Sequence, residues 1–412
     1  MQAGKRNMER MVEAVPESDW QSLQNFISHS PWDAFALMKR IALDADHLIS
    51  GDKDSCLIID ESGFSKKGKQ SVGVSRQWNG RLGKVDNCQV GVFAALNCRE
   101  KVTLIDTRLY LPKSWTEDKA RCQGTDIPHD RLIHRKKAEL ALEMIASARA
   151  QGLSYQWIGA DGFYGEDPEF VRQLDQWEET FMLDVHCDQV IYLEDPAPYV
   201  PAAQSSRGRK PSRLKSDVQR TTVFAWAAMQ PAKKWQKVTV RDTTKGKLTV
   251  EVLHGRVWLW DGSEVQGHQW HLIVRREKGS KNKLKYSISN AAAHTPTARL
   301  AFMQAQRYFV ERAFEDAKTS AGLADYQVRT WTGWHHHVAL VMLAMLFMLQ
   351  TKLKYAHVYE LLSTNDIRIL LTYFLPKRAA TIGDIVQQME IRHQKRKRAI
   401  KAYLKYDIGK SD

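Results

Sequence analysis

The sequence predicts an α/β protein, and three observations carry that prediction. Two short, continuous runs, Cys56-Leu57-Ile58-Ile59 and Tyr155-Gln156-Trp157-Ile158-Gly159-Ala160, each end in an acid, Asp60 and Asp161. Such runs fit central strands covered on both faces. Helical stretches alternate with strands between residues 56 and 185, whereas residues 235–290 alternate apolar and polar positions, as antiparallel strands do. Strand, hairpin, helix, strand, helix, strand is the order of an RNase H-like domain. Here that domain is interrupted by an antiparallel β insertion and flanked by helical N- and C-terminal regions.

Composition narrows the partners. A chain of 412 residues has the length of two to three domains, and 43% apolar with 26% charged residues excludes a disordered polymer. Lys+Arg 61 against Asp+Glu 47 leaves a net charge of +14. That excess favours an anionic polymer, through phosphate contacts and counterion release, without choosing among DNA, RNA and an acidic membrane. Cys56, Cys88, Cys98, Cys122 and Cys187 are odd in number and lack any CxxC spacing. They read as reduced thiols of a cytosolic protein. The polar N-terminus carries no signal peptide. The longest apolar run, Val338 to Leu349, has 12 residues where a bilayer needs about 20, so it reads as a buried core helix. A cytoplasmic, nucleoid-associated protein with no membrane partner is expected.

In chain order, residues 1–50 read as an N-terminal helical region. Ser30-Pro31-Trp32-Asp33 has the form of a helix start, with Ser at the N-cap, Pro at the first helical position and an acid at the third. Residues 51–187 form the first part of the RNase H-like domain. Its strands are expected at 56–60, 89–96, 102–111, 155–160 and 181–185, and its helices at 139–149, closed by Gly152, and at 169–177. Residues 188–285 are the β insertion. It begins with a stretch, 195–217, that holds four prolines and five Lys/Arg and is too polar to build a core. Strands at 238–240, 248–253, 257–260 and 270–274 follow, with turn signals at Lys245-Gly246, Asp261-Gly262 and Lys278-Gly279. Residues 286–350 complete the RNase H-like domain, and 351–412 form a helical, basic C-terminal region.

The chemistry gathers on Arg307 to Lys318, where nothing breaks a helix. At helical spacing Arg307, Glu311, Phe314 and Lys318 fall within about 60° of one another. This is either a solvated face with an ion pair four apart, or an acid flanked by phosphate-binding cations. An RNase H-like nuclease needs acids at the ends of its first and fourth strands and on a later helix. Together they hold two divalent cations about 3.5–4 Å apart. Asp60, Asp161 and Glu311 fill those places. Carboxylates suit Mg²⁺, a hard, oxygen-seeking ion, with Mn²⁺ able to substitute. Asp106 and Asp184 show the same acid-after-apolar pattern, but Asp106 falls within a hairpin strand. Glu61 points to the face opposite Asp60, and Glu315 lies slightly off the Arg307–Lys318 face.

At these residues the chain resembles a known family. Leu57-Ile58-Ile59-Asp60-Glu61-Ser62-Gly63-Phe64-Ser65-Lys66-Lys67-Gly68 is similar to the first catalytic block of bacterial insertion-sequence transposases with a DDE triad. The match is to the family numbered 701, a relative of the superfamily numbered 4. Asn87 to Phe93, Ala160 to Gly165, the Glu311 helix and Trp331-Thr332-Gly333-Trp334-His335-His336-His337 are similar to later blocks, so the resemblance runs from about residue 8 to about 350. It implies Asp60, Asp161 and Glu311 as catalytic metal ligands and Arg307 and Lys318 as contacts to DNA phosphates. It also implies a β insertion before the catalytic Glu. The signature's Tyr falls at Gln304, with Tyr308 a nearby substitute. Family members tend to carry more residues before Asn7-Met8-Glu9-Arg10, which makes a shortened copy an expectation.

The resemblance implies an enzyme that binds inverted-repeat ends and pairs them as a homodimer. It would cut DNA with water and pass the freed 3′-hydroxyl to target DNA. Two other readings stay open: an inactive DNA-binding derivative, and a different RNase H-like nuclease. The consecutive histidines 335–337 cannot converge on one metal from a helix and read as packing or phosphate contacts. Trp258 and Trp260 share a strand face, for packing or for stacking an unpaired base. The cationic cluster of Lys395, Arg396, Lys397, Arg398 and Lys401 reads as a solvated tail or a DNA contact.

Overall fold

The computed structural model describes residues 8–202, 211–243, 246–277, 283–375 and 381–408. Strand β1 (Ser55–Ser65) is its axis. Leu57, Ile58 and Ile59 are fully buried, each worth about 1.5–3 kcal/mol relative to exposure. The strand runs five residues past the predicted end, so Asp60 lies mid-strand. On one side β1 pairs antiparallel with β3 (Lys84–Cys98), which carries β2 (Ser75–Asn79) and β4 (Lys101–Leu109). On the other it pairs in parallel with β5 (Ile158–Ala160), from Leu57 opposite Ile158 to Ile59 opposite Ala160. Asp60 is therefore the first residue beyond the parallel register. Strand β6 (Phe181–Val185) lies parallel to β5 on its far side.

Beyond β6 the sheet continues without interruption. Past it come β7 (Val190–Tyr192), β8 (Arg220–Thr222), β9 (Gln236–Thr243), β10 (Gly246–Leu259), β11 (His268–Glu277) and β12 (Leu284–Ser289). The sheet order is β2-β3-β1-β5-β6-β12-β11-β10-β7-β8, with β4 on β3 and β9 on β10. The antiparallel strands thus extend the central sheet, joined by β12 pairing with β6.

Several local expectations need correction. The helix Ala34–Ile49 is capped by Asp33, whose carboxylate accepts from the Phe35 and Ala36 amides. Ser30 is not the cap. Trp32 instead donates to the Phe26 carbonyl and stacks on His336, so Pro31-Trp32 form an extended anchor before the helix. The expected strands 248–253 and 257–260 are one strand, β10, in unbroken register with β11. Gly255 at its centre lies against the Trp226 ring, where a Cβ would come within 2.5 Å. The turn at Asp261-Gly262 forms, with Gly262 at φ +87°, whereas Lys245 and Lys278-Gly279 lie outside the described residues. Strand β2 has no counterpart in the sequence reading.

Arg307 to Lys318 is not one regular helix. Thr297–Gln306 ends at Arg307, Tyr308–Asp316 restarts, and Ala317–Ala321 widens into a π turn closed by Gly322 at φ +79°. The apolar run lies within the helix Trp331–Tyr355, the one described helix long and apolar enough to cross a membrane. Trp334, Val338, Met342 and Leu346 on it are buried in the core, while Leu343 and Phe347 are exposed. The C-terminal helices are Thr364–Phe374 and Ile382–Ile408, and Arg392 of the latter pairs with Glu13. All five cysteines are unbridged.

Candidate active site

The parallel register that stops at Ile59 and Ala160 sets Asp60 and Asp161 side by side where two neighbouring strands leave their pairing. Asp60 is buried, and its Oδ1 accepts the Glu61 amide at 2.7 Å. Asp161 accepts the Phe163 amide at 3.1 Å as the cap of the short turn Gly162–Gly165. That turn is pressed onto β6, and a Cβ at Gly165 would meet the Asp184 carbonyl at 2.0 Å. Burial, then the charge of Asp161, pushes the Asp60 carboxyl up to about 7, against the pull of Arg307. Burial likewise raises Asp161. Two desolvated carboxylates held against each other form a site that gains by receiving positive charge.

Arg307 supplies part of that charge. The break between two helices turns its guanidinium inward, where Nη1 lies 3.5 Å from Asp60 Oδ2 and Nη2 lies 3.4 Å from Glu311 Oε1. Its Nε donates to Asp184 Oδ2 at 2.8 Å. Ser287 Oγ donates to Asp184 Oδ1 at 2.5 Å, and Gln304 Nε2 donates to Ser287 Oγ at 2.8 Å. Gln304, at the position of the signature's Tyr, therefore ends a buried polar chain that fixes Arg307. Burial opposes the Arg307 charge, but Asp184, Asp60, Glu311 and Asp161 together raise its affinity for its proton. Glu311 stays open to solvent, with 57% of its side chain exposed.

Lys318 reaches the same region from the π turn, its Nζ 5.6 Å from the Phe314 ring and 5.8 Å from the Phe64 ring. Burial lowers it to about 8, and Asp60 works the other way. Lys66, just past β1, lies 3.4 Å from the Tyr326 ring and is likewise lowered by burial to about 8. Tyr308 is 41% exposed and carries the Arg241 guanidinium over its ring at 3.9 Å.

The rival acids are placed elsewhere. Asp106 sits at a bulge of β4 and pairs with Arg108 at 2.5 Å, in a network with Glu143. Glu315 pairs with Arg312 at 3.0 Å. Glu61 pairs with Lys137 at 2.8 Å. Asp184, weighed as a rival acid, is the main partner of Arg307. Its end-of-strand position was the available signal; its link to Arg307 was not, because the two are far apart in sequence.

The remaining predicted residues separate. Trp260 lines an open cleft of about 910 Å³ with Arg172, Arg213, Lys215 and Arg220, while Trp258 does not. Trp260 Nε1 donates to the Glu264 carbonyl at 2.7 Å. Trp258 pairs in register with Tyr192 of β7 and Gln269 of β11. The three histidines do not converge. His335 bonds with the Trp331 carbonyl, His336 with those of Ile27 and Trp32, and His337 with that of Gly322. Burial lowers His335 to about 3 and His337 to about 4. All three histidines pack; His335 bonds within its own helix, while His336 and His337 tie that helix to other segments.

The donors of Asp60, Asp161 and Glu311 are carboxylate oxygens only, a set that fits Mg²⁺ or Mn²⁺ and not a thiolate- or imidazole-seeking metal. The mutual strain of Asp60 and Asp161 and the reach of one guanidinium from Asp60 to Glu311 agree with that fit. A second group, Glu166, His186 and Asp188, offers ligand atoms within 4.8 Å of one another, exposed after the turn Gly162–Gly165 and after β6. There His186 already pairs with Glu166 at 2.5 Å.

Buried paired acids just past the end of a parallel strand pairing, countered by a fixed arginine, define a class of site suited to phosphoryl transfer with hard divalent cations. The sequence profile described as DDE superfamily endonuclease matches residues 1–247, and the chain belongs to that family. The match includes Asp60 and Asp161 and stops before Glu311. A protein described as a probable transposase for insertion sequence element IS701, from Microchaete diplosiphon, is 27% identical over 222 residues. The match spans 53% of this chain and 54% of that relative, so the chain covers about half the relative's length. A piggyBac transposase in a synaptic complex with hairpin DNA aligns with a TM-score of 0.37 and 11% identity, over 86% of this chain and 58% of that one.

Proposed function

We propose that this protein is a DDE transposase that binds the ends of an insertion sequence, cuts the DNA and joins the 3′ ends to target DNA. The observation that carries the reading is the convergence of Asp60 and Asp161 with Glu311 through Arg307. The family match and the description of the relative support it. In this reading residues 51–187 and 286–350 are the two parts of an RNase H-like domain around an insertion at 188–285. Two homodimer subunits would hold paired ends.

Divalent cations bound by the three acids would activate the attacking oxygen and steady the leaving one. The chain's own residues position the substrate. Arg307, held by Asp184, offers a fixed cation beside the acids, and Lys318 and Lys66 offer cations whose burial makes them gain from a phosphate. Tyr308 and Trp260 present rings to the strand leaving the site.

The test is incubation of purified protein with labelled duplex from the gene's borders, with Mg²⁺, with Mn²⁺ and with chelator. Metal-dependent nicks at the element's ends followed by joined products are expected. Metal-dependent cutting with no joined product would replace the reading by a nuclease. Tight border binding without cutting would replace it by an inactive derivative.

A further inference from the structure

We propose that Arg241, Arg275 and Lys285, on strands β9, β11 and β12, form with Arg307 a pocket for one phosphate group beside Glu311. The four cations converge with Tyr308 and Glu311 on a recess of about 60 Å³, room for a group of phosphate size. None of the three strand cations belongs to the motif that marks the acids.

Two features of the pocket are costly unless an anion enters it. Arg275 and Lys285 stand directly opposite each other in the β11–β12 register, and like charges so placed destabilise a sheet. The cost is visible at Lys285, whose proton affinity is lowered by burial, then by Arg275 and Arg307, with Asp184 and Glu311 offsetting part of the effect. Among the described residues, neither Arg241 nor Lys285 forms a salt bridge. Asp184 and Glu311, the two carboxylates lining the recess, both already engage Arg307, which leaves the charges of Arg241 and Lys285 to be met from outside. The positive charge of Arg241 and Lys285 matches a phosphate, and Arg241, its guanidinium 3.9 Å from the centre of the Tyr308 ring, presents the planar fork that binds phosphate oxygens in pairs.

The choice of a DNA phosphate as the natural ligand rests on the proposed function; the pocket's affinity for phosphate does not. Arg241→Met and Lys285→Met keep the apolar stems and remove the charges. Calorimetry of the full chain with inorganic phosphate should show binding that weakens roughly tenfold in each variant, while Lys285→Arg retains it. With border duplex, each Met variant should lower the salt slope by about 0.9, the value of one phosphate contact. Lys285→Met should also melt higher than the parent, because it relieves the pairing with Arg275. Duplexes with 5′-phosphate or 5′-hydroxyl ends separate the sources. A preference for the phosphorylated end that both variants lose assigns a terminal phosphate, and equal weakening on both assigns a backbone phosphodiester. If both folded Met variants keep the parent's phosphate affinity and salt slope, or if Lys285→Met only lowers the melting temperature, the pocket is overturned even where the protein cuts DNA. A protein that never cuts DNA but loses phosphate affinity in these variants would keep the pocket and lose the proposed function.

Discussion

The two halves of the sheet solve opposite problems. The parallel centre, β1, β5 and β6, is covered on both faces and brings acids together where its strands leave their pairing. The antiparallel wing, β7 to β12, carries cations and tryptophans on open surfaces. The halves meet where β12 pairs with β6, and there Ser287 of the wing donates to Asp184 of the centre, which in turn holds Arg307. A rigid core can keep like charges close because its strands cannot part. Arg307, from the break between two helices, and the wing cations beside it supply the opposite charge at the seam.

The largest expected effect breaks the centre. Asp60→Ala, Asp161→Ala and Glu311→Ala should each lower cutting by roughly 10³-fold or more, the loss of several kcal/mol of transition-state stabilisation, with DNA binding largely kept. Normal cutting by Glu311→Ala would move its role to Glu315. The centre's strain has its own signature. Asp60 is raised from an ordinary value near 4 to about 7 by burial and by Asp161. A carboxyl raised on folding costs stability as pH climbs from about 4 to 7, and the cost is complete above 7. Without divalent cations, Asp60→Asn should therefore melt higher than the parent at pH 7.5 and match it more closely at pH 5. A lower melting temperature for Asp60→Asn at pH 7.5 would show that the acids are not strained.

The centre was legible in the sequence for the same reason that it is rigid. A strand buried on both faces must be a continuous apolar run, so an acid that closes the run stands out, as Asp60 and Asp161 do, even where the strand itself continues, as β1 does past Asp60. Glu311 needed helical spacing, which holds for the Arg307–Glu311 pair and not for Lys318, because the π turn changes the period. The wing was legible only as alternation. Arg241, Arg275 and Lys285 look like any cations on a wet strand face, and only the register that sets Arg275 against Lys285 distinguishes them. Ser30 misled because Pro31 suits a first helical turn, whereas Asp33 makes the stronger cap. The single strand β10 was divided because its middle, His254-Gly255-Arg256, lacks the apolar residues that mark strands; His254 is instead satisfied by bonds with His271 and Thr297.

A smaller effect tests whether the wing touches DNA bases. Trp260 lines the cationic cleft and Trp258 does not, so the two should differ. Stacking on a base is worth about 1–3 kcal/mol, so Trp260→Ala should lower end processing roughly 5- to 150-fold on paired DNA. A mismatch placed at the cut should restore part of the loss. Trp258→Ala should stay closer to the parent. Equal, parent-like cutting by both would leave these rings to packing alone.

The smallest effect tests the cation that the π turn brings to the other side of the acids. Lys318 is lowered to about 8 by burial and by Arg81, with Asp60 opposing. A lysine lowered on folding is a stability cost below about 8 that fades as pH rises from there toward its ordinary value near 10.4. Its charge is fully present at pH 7 and lost above 8, so its attraction for a phosphate follows the same course. Border-DNA affinity of the parent should fall between pH 7 and 9. Lys318→Ala should bind more weakly at pH 7, lower the salt slope by about one and lose much of that pH dependence. Lys318→Arg, charged throughout, should bind as the parent does at pH 7 and hold its affinity at pH 9. If Lys318→Ala keeps both the salt slope and the pH profile of the parent, Lys318 is a buried structural cation. The phosphate contacts beside the acids would then come from Arg307 and the wing.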